Sequence, residues 1–546
     1  MPRRCSCRSC FTAAENLEQR RLLAIAIATT IAPDQVPGHS YYVSPTGNDT
    51  NDGSITNPFQ TIARVNALDL QPADGVFFAG GATFSGSLKL TQEDAGTALQ
   101  PILVSSYGTG RATINGGDDD GIFAKDTGGI SISNLNLTGS GLNPNNNDPC
   151  GINFYMDLSG NVKENYIRID NVDCSGAWAA GIQFETHNGS SGFNDVQITN
   201  SVVHDVGVQG IQFIGVNYDS TTNVFIQNCT AYNVRGIANL KHNSGNGIVL
   251  GEVKNATIDH CVAFHNGTSG WGGVGIWCWQ SDAVNIQHCE SYDNHTVKST
   301  DGGGFDLDGG TTNSVMQYNY SHDNDGSGYG LFEYRGARPW GNNVVRYNIS
   351  QNDARKNNAA GISLWTASNS FSGAEIYGNS IYLNNLGLNA TATPQGLIFA
   401  SSNLNNIHLR NNIFMTRNGI QLADFDRAPS GLILQGNDFY ADSALFNVKW
   451  GKKTFASLTA WQVSAGIEML NGVNVGKSVD PRFVNAGGAT TGDAGAYHLA
   501  SNSPLINTGV NLISLGISPG SQDFFGNALP TSPSDQFDVG ANESVL

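Results

Sequence analysis

The sequence predicts an all-β solenoid, a chain wound into stacked three-stranded coils whose strands pair in parallel. The first observation is a glycine followed by an apolar residue that returns about every thirty positions, at Gly151, Gly181, Gly210, Gly247, Gly275, Gly304, Gly330, Gly361, Gly396 and Gly419. A repeat of this length marks one structural unit stacked on copies of itself. The second is a parallel column at Cys229, Cys261, Cys289, Asn319, Asn348, Asn379, Asn412 and Asn437, with steps of the same size. The third is that the segments between are short and alternate apolar with polar residues, while long helical patterns are scarce.

Each coil reads as three strands. The first is glycine-led, as in Gly210-Ile-Gln-Phe, Gly275-Ile-Trp-Cys-Trp and Gly304-Phe-Asp-Leu-Asp. A second follows some fifteen to eighteen residues later, as in Val224-Phe-Ile-Gln, Val284-Asn-Ile-Gln and Ala374-Glu-Ile-Tyr, and a third is shorter, as in Ala231-Tyr and Ile381-Tyr. Asn, Asp and Gly between them are turn formers. Stacking sets each strand about 4.8 Å from its counterpart one repeat away, and roughly ten to twelve coils fit the chain. In the second column the Asn side chains can bond to each other and to turn backbone that burial would otherwise leave unsatisfied. Cys fills the same slot as a small hydrophobe, so these cysteines read as reduced core residues rather than disulfides or thiolate ligands. His260 and His288 beside them read as turn residues in preference to metal ligands.

The pattern resembles the right-handed parallel β-helix proteins of the pectate-lyase-like superfamily over roughly residues 40 to 440. Two flanks add to it. Tyr41-Tyr-Val-Ser-Pro-Thr-Gly-Asn-Asp-Thr-Asn-Asp-Gly-Ser with Asn57-Pro-Phe-Gln-Thr-Ile is similar to the opening of secreted polysaccharide-acting β-helix proteins. Within it Asp49 and Asp52 read as turn formers, and Asn57 to Leu70 has helix-like spacing that can cap the stack. Asp480-Pro-Arg-Phe-Val, Ser503-Pro-Leu-Ile-Asn and Asp523-Phe-Phe-Gly-Asn resemble the closing segment of the same proteins. The expected organisation is an export leader over 1–38, an N-terminal cap and first strands over 39–110, the repeat domain over 111–445, and an irregular closing segment over 446–546.

The leader is expected because Arg3, Arg4, Arg8, Arg20 and Arg21 precede a short apolar run, Leu22 to Ala32, broken by Pro33. The stretch Glu15 to Ala24 resembles leaders of exported planctomycete proteins. The run is too short to span a bilayer, and no stretch of eighteen apolar residues exists, so no membrane span is expected. The net charge of −18 argues against nucleic acid and anionic membranes as partners. An exported monomer in the periplasm, at the cell surface or outside the cell is the expectation.

Function is sought on the outward positions of the glycine-led strands. If the residue after each glycine faces in, the next faces out, giving Gln183 and Glu185, Gln212, Trp277 and Trp279, Asp306 and Asp308, and Trp365. At Gly330-Leu-Phe-Glu-Tyr-Arg two registers compete. With Phe332 inward, Glu333 and Arg335 face out beside Asp306 and Asp308. With Leu331 inward, Glu333 points into the core, where a carboxylate is costly. The first register is preferred. It gives a catalytic set of Asp306, Asp308, Glu333 and Arg335 framed by a substrate platform of Trp277, Trp279 and Trp365. Sugar faces stack on rings, and paired carboxyls cleave glycosidic bonds. Strand geometry sets Asp306 about 5 Å from Glu333 and about 6.5–7 Å from Asp308.

The substrate expected is a polysaccharide lying along the outer sheet, cleaved by a lyase or a glycoside hydrolase. The resemblance implies a lyase, with Ca²⁺ held by Asp301, Asp306 and Asp308, with Glu333 as a further ligand, and Arg335 as the base. No outward strand lysine is evident, a departure from lysine-based lyases. Arg338, Lys298 and Lys241 fall in nearby turns. Asp323-Asn-Asp-Gly326 resembles part of a cation loop but reads first as a plain turn, and His295 and His322 read as turn residues before acids or bases. The alternative is a surface protein that binds glycan on the same tryptophans without cleaving it.

Overall fold

The computed structural model describes residues 36–142, 148–240, 243–297, 301–367, 371–388, 391–401, 403–426, 429 and 431–544. The expected leader, but for its last three residues, lies outside them, as do Lys241 and Lys298. The described residues form two compact units: an N-terminal one within 36–276 with 296–297, and a C-terminal one within 277–295 and 301–544.

Both units are built of the three-stranded coil. In the N-terminal unit the glycine-led strands Ile152–Met156, Ala180–Thr186, Gln209–Gly215 and Asn246–Gly251 pair in parallel, each with the next. A second sheet runs through Lys163–Asp170, Gly192–Thr199, Thr221–Gln227 and Val253–Asp259, and a third through Asp173–Ser175, Val202–His204, Thr230–Tyr232 and Val262–Phe264. The C-terminal unit repeats the plan. Its glycine-led sheet takes Phe305–Leu307, Tyr329–Glu333, Ala360–Thr366, Gln395–Phe399, Gln421–Phe425 and Val448–Trp450. Identical side chains stack coil on coil: Phe154, Phe184 and Phe213 lie with ring centroids 4.8 and 4.6 Å apart. Such stacked rings add about 0.5–1.5 kcal/mol each beyond their burial.

The glycine beat has a steric cause. A Cβ at Gly304 would stand 2.2 Å from Ser321 Oγ, and one at Gly361 2.2 Å from Ile381 Cγ2. The third sheet presses against the first at this corner and leaves no room for a side chain. The beat differs from the expected one at two coils: Leu422 rather than Gly419 stands beside Gly396, and the second shift lies between Gly304 and Gly361. Phe305 pairs with Tyr329, and Tyr329 with Ile362, so Gly328 rather than Gly330 stands between Gly304 and Gly361. Tyr329 is inside, its hydroxyl donating to the carbonyls of Asn319 and Ile349 at 2.6 and 2.8 Å.

The asparagine column forms the expected ladder. The amides of Asn319, Asn348, Asn379 and Asn412 each donate to Oδ1 of the next asparagine at 2.9–3.0 Å. The Nδ2 groups donate to that same oxygen and to carbonyls of the preceding coil, as Asn348 does to Met316 at 2.9 Å. The ladder ends on Glu468, fully buried, which accepts from Asn437 Nδ2 at 2.7 Å and from its amide at 3.2 Å. Cys229 and Cys261 take the slot as thiols that donate to backbone carbonyls, and the six described cysteines are buried.

The closing segment does more than end the C-terminal unit. Ser457 caps the helix Leu458–Ala465, and Trp461 is buried against Phe425, Phe439 and Trp450. The chain then returns along the second and third sheets. Tyr497, Leu505 and Val539 pack on Tyr320, Ile349, Tyr382 and Ile413, while Val510, Leu512 and Phe537 pack on Tyr318, Tyr347 and Tyr377. At the other end the helix expected within Asn57–Leu70 is one turn, Ile62–Val65, capped by Thr61. Asp49 accepts from Gln60, Thr61 and the Thr61 hydroxyl, and Asp52 from Ser54, as turn formers do. No helix among the described residues is long and apolar enough to cross a membrane.

Candidate active site

The site is built on the outward face of the glycine-led sheet in the C-terminal unit. On Phe305–Leu307 the inward residues are Phe305 and Leu307, so Asp306 points out and Asp308 follows two residues later on the same face. The Asp308 amide donates to the Cys278 carbonyl at 2.8 Å, which fixes this strand end beside Trp277 and Trp279. Asp308 Oδ1 accepts from the Gly309 amide at 2.7 Å.

The register places Gly330 directly beside Asp306 and Ser363 beyond it. A Cβ on Gly330 would meet Phe332 Cε2 at 2.6 Å and Asp306 Oδ1 at 3.0 Å. The Phe332 ring therefore leans back over Gly330 onto the Asp306 carboxyl, which is 4% exposed although it points outward. Its Oδ1 is buried with no hydrogen-bond partner. Burial raises the Asp306 pKa well above the ordinary carboxylate value, and the charges of Asp308 and Asp301 raise it further. Burial also pushes Asp308 up to about 7, opposed by the Gly309 amide and reinforced by Asp301 and Glu333. The charge of Asp308 acts on Asp306 two residues away, so the two carboxyls titrate as a pair.

Three expectations are corrected here. Glu333 does not face out. Leu331 takes the inward slot, and Glu333 follows it into the core, fully buried, accepting from Thr366 Oγ1 at 2.8 Å. The two-residue shift to Gly328 is the reason: Tyr329, Leu331 and Glu333 share the inward face. Arg335 is not on the sheet but in an exposed turn after the strand. Trp277 is 6% exposed and Trp279 half-buried, so the open aromatic platform reduces to Trp365, 40% exposed, whose register partner is Phe332. A strand lysine does occur on this sheet, at Lys449, where Asp424 binds it at 2.9 Å.

The other candidates sort out of the site. His322 lies on the third sheet, stacked on Tyr292 and Tyr320. Burial lowers its pKa, but its bonds to Asp323 and Glu290 outweigh this and raise it to about 9. His295 is raised to about 9 by Asp293 and Asp325. In the Asp323–Gly326 turn, Asn324 Nδ2 donates to Asp353 at 2.8 Å and Asp325 pairs with His295 and Lys356, so these groups are engaged in coil-to-coil bonds. Asp301, Asp306 and Asp308 are not among the described groups whose ligand atoms converge within 4.8 Å.

Sequence reasoning missed Gly330 as the opening beside Asp306, and Phe332 as its cover. It also missed Gln280, 8% exposed, whose Nε2 donates to the Tyr334 hydroxyl at 2.9 Å while Oε1 is buried without a partner. The Gly-Tyr-Gly spacing at 328–330 was the one available signal.

The fold is that of a right-handed parallel β-helix. The family model for the right handed β-helix region matches residues 180–381. The chain is 25% identical to a lacto-N-biosidase of Bifidobacterium longum subsp. longum over 93% of its own length, and it spans 36% of that protein. A GH136 lacto-N-biosidase from Eubacterium ramulus superposes with a TM-score of 0.50 at 20% identity, over 72% of this chain and 70% of that one. A pectate lyase is similar at a TM-score of 0.37 and 15% identity, over 93% and 96%.

Proposed function

We propose that the protein is an exported glycan-cleaving enzyme, a glycosidase whose reacting groups are Asp306 and Asp308. The observation that carries this reading is a pair of carboxyls two residues apart, Asp306 on its strand and Asp308 just past the strand end, both with raised pKa, with Asp306 Oδ1 buried without a hydrogen-bond partner. Glycosidases need one carboxyl that keeps its proton and a second that is ionised. Asp306, the deeper group, holds the proton and donates it to the glycosidic oxygen. Asp308, half-buried and bonded to the Gly309 amide, acts as the carboxylate on the sugar. Trp365 with Phe332 offers the apolar surface on which a sugar ring stacks. Asp301 adds negative charge that keeps the pair from ionising together.

The similarity to lacto-N-biosidases favours hydrolysis, and a glycan containing lacto-N-biose is the first substrate to try. A lyase would need a base beside the acids, and Arg335 stands off the sheet in its turn. The arginine-rich N-terminus supports export, and the substrate reaches the enzyme outside the cytoplasm. The test is a panel of oligo- and polysaccharides read for reducing ends and ultraviolet absorbance together. Reducing ends without absorbance support a glycosidase. An unsaturated, absorbing product means a lyase, and binding without any product means a glycan-binding protein.

A further inference from the structure

We propose that the N-terminal unit carries a second glycan-binding site, built by Asp120, Asn153, Glu185 and the His187–Tyr155 ring pair, whose ligands are neutral, hydroxyl-rich sugars. It goes beyond the function proposed above, since none of its residues belongs to the Asp306–Asp308 site.

The register creates it. Tyr155 and Glu185 are neighbours on adjacent glycine-led strands, and Asn153 occupies the preceding outward position. Asn153 Nδ2 donates to Glu185 Oε1 at 3.0 Å and to Asp120 Oδ2 at 3.4 Å, so one amide holds two carboxylates a few ångströms apart. Asn153 is 7% exposed, and its Oδ1 is buried with no hydrogen-bond partner. Glu185 Oε2 binds His187 Nε2 at 2.8 Å, and the His187 ring stacks on Tyr155 at 4.5 Å. Ile214, the register partner of Glu185 on the next strand, is an exposed apolar side chain.

The donor set selects the ligand. An amide nitrogen sits between the two carboxylates, where a hard cation would need an oxygen. Two carboxylates repel a uronate but accept hydroxyl protons well. Burial raises Asp120 to about 6, so near that pH it can donate as well as accept, as an array of sugar hydroxyls requires. The exposed His187 ring and Ile214 supply the apolar surface that a pyranose face covers.

The experiment uses the full chain with Asp308→Asn, so that no substrate is consumed. Lactose, N-acetyllactosamine, cellobiose and xylobiose are titrated calorimetrically, with digalacturonate and calcium chloride as charged probes. At least one neutral disaccharide is expected to bind. That binding should weaken about tenfold or more in Glu185→Gln and in His187→Ala, with the circular dichroism of each folded variant unchanged. The proposal is overturned if no neutral disaccharide binds, if only digalacturonate or calcium binds, or if Glu185→Gln and His187→Ala bind as the parent does. Cleavage by the wild-type chain is assayed separately, so loss of the Asp306–Asp308 reading would leave this result standing.

Discussion

Asp306 lies beside Gly330 in the pairing of adjacent strands, and its Oδ1 stands 3.0 Å from where a Gly330 side chain would begin. The absence of that side chain lets Phe332 fold onto the carboxyl and take it out of water. Burial, with Oδ1 left without a hydrogen-bond partner, is what raises the Asp306 pKa. Gly330→Ala should therefore act on the chemistry through one methyl group. It pushes against the Phe332 ring and the carboxyl, an overpacking of about 1–3 kcal/mol. Glycan cleavage is expected to fall about tenfold or more while the circular dichroism of the folded chain is retained, which a rate assay and a spectrum on the same sample will check.

Glu333 has the opposite character. It is a core carboxylate bonded to Thr366, and its charge acts on Asp308. Glu333→Gln should lower stability by about 1–3 kcal/mol, as altered buried hydrogen bonds do, and leave the maximal rate within a few-fold. Because Glu333 is one of the charges that raise Asp308, the limb of the pH–rate profile near pH 7 should move to lower pH in this variant. A loss of rate of a hundredfold at every pH would assign Glu333 a direct part.

The stability of the fold should fall as pH rises from about 5 to 9. Burial raises Asp353 to about 6, Glu468 to about 7 and Asp438 to about 8. The unfolded chain releases these protons near pH 4, the folded chain only above it, so over this interval the native state binds more protons and loses stability with increasing pH. His322, raised to about 9 by its carboxylate partners, contributes stability that is complete below about 6.5 and is likewise lost as pH rises through 9. Thermal denaturation at one-unit intervals will show the slope; a melting temperature that climbs from pH 6 to 8 contradicts it.

The asparagine ladder should be the most sensitive part of the core. Asn348 accepts from Asn319 and donates to Met316 and Asn379. Asn348→Ala leaves several of these buried groups without partners, at about 1–3 kcal/mol for each. A loss on the order of 3 kcal/mol or more in chemical denaturation is expected. Asn348→Asp should recover part of it, since the carboxylate oxygen still accepts from Asn319.

The coils were legible because their causes are local and repeated. Glycine recurs where the third sheet presses on the first, and asparagine where a buried turn needs both a donor and an acceptor. Of the candidate site, the outward positions of Asp306 and Trp365 were legible, since they follow from the alternation. It failed at Glu333 because two glycines flank Tyr329, and a tyrosine with its hydroxyl bonded to Asn319 and Ile349 is a good core residue that the pattern does not announce. The burial of Trp277 and the return of residues 480–544 over Tyr318, Tyr320, Tyr347 and Tyr377 depend on long-range packing, which no periodicity records.

The central claim is that Asp306 and Asp308 cleave a glycosidic bond together, and the most direct test is the rate of reducing-end release from a responsive glycan by Asp306→Asn and Asp308→Asn. Each substitution is close to isosteric, so binding of that glycan should persist. Each rate is expected to fall by about 10²–10⁴, the contribution of a positioned acid or base. Wild-type rates in both variants would contradict the claim.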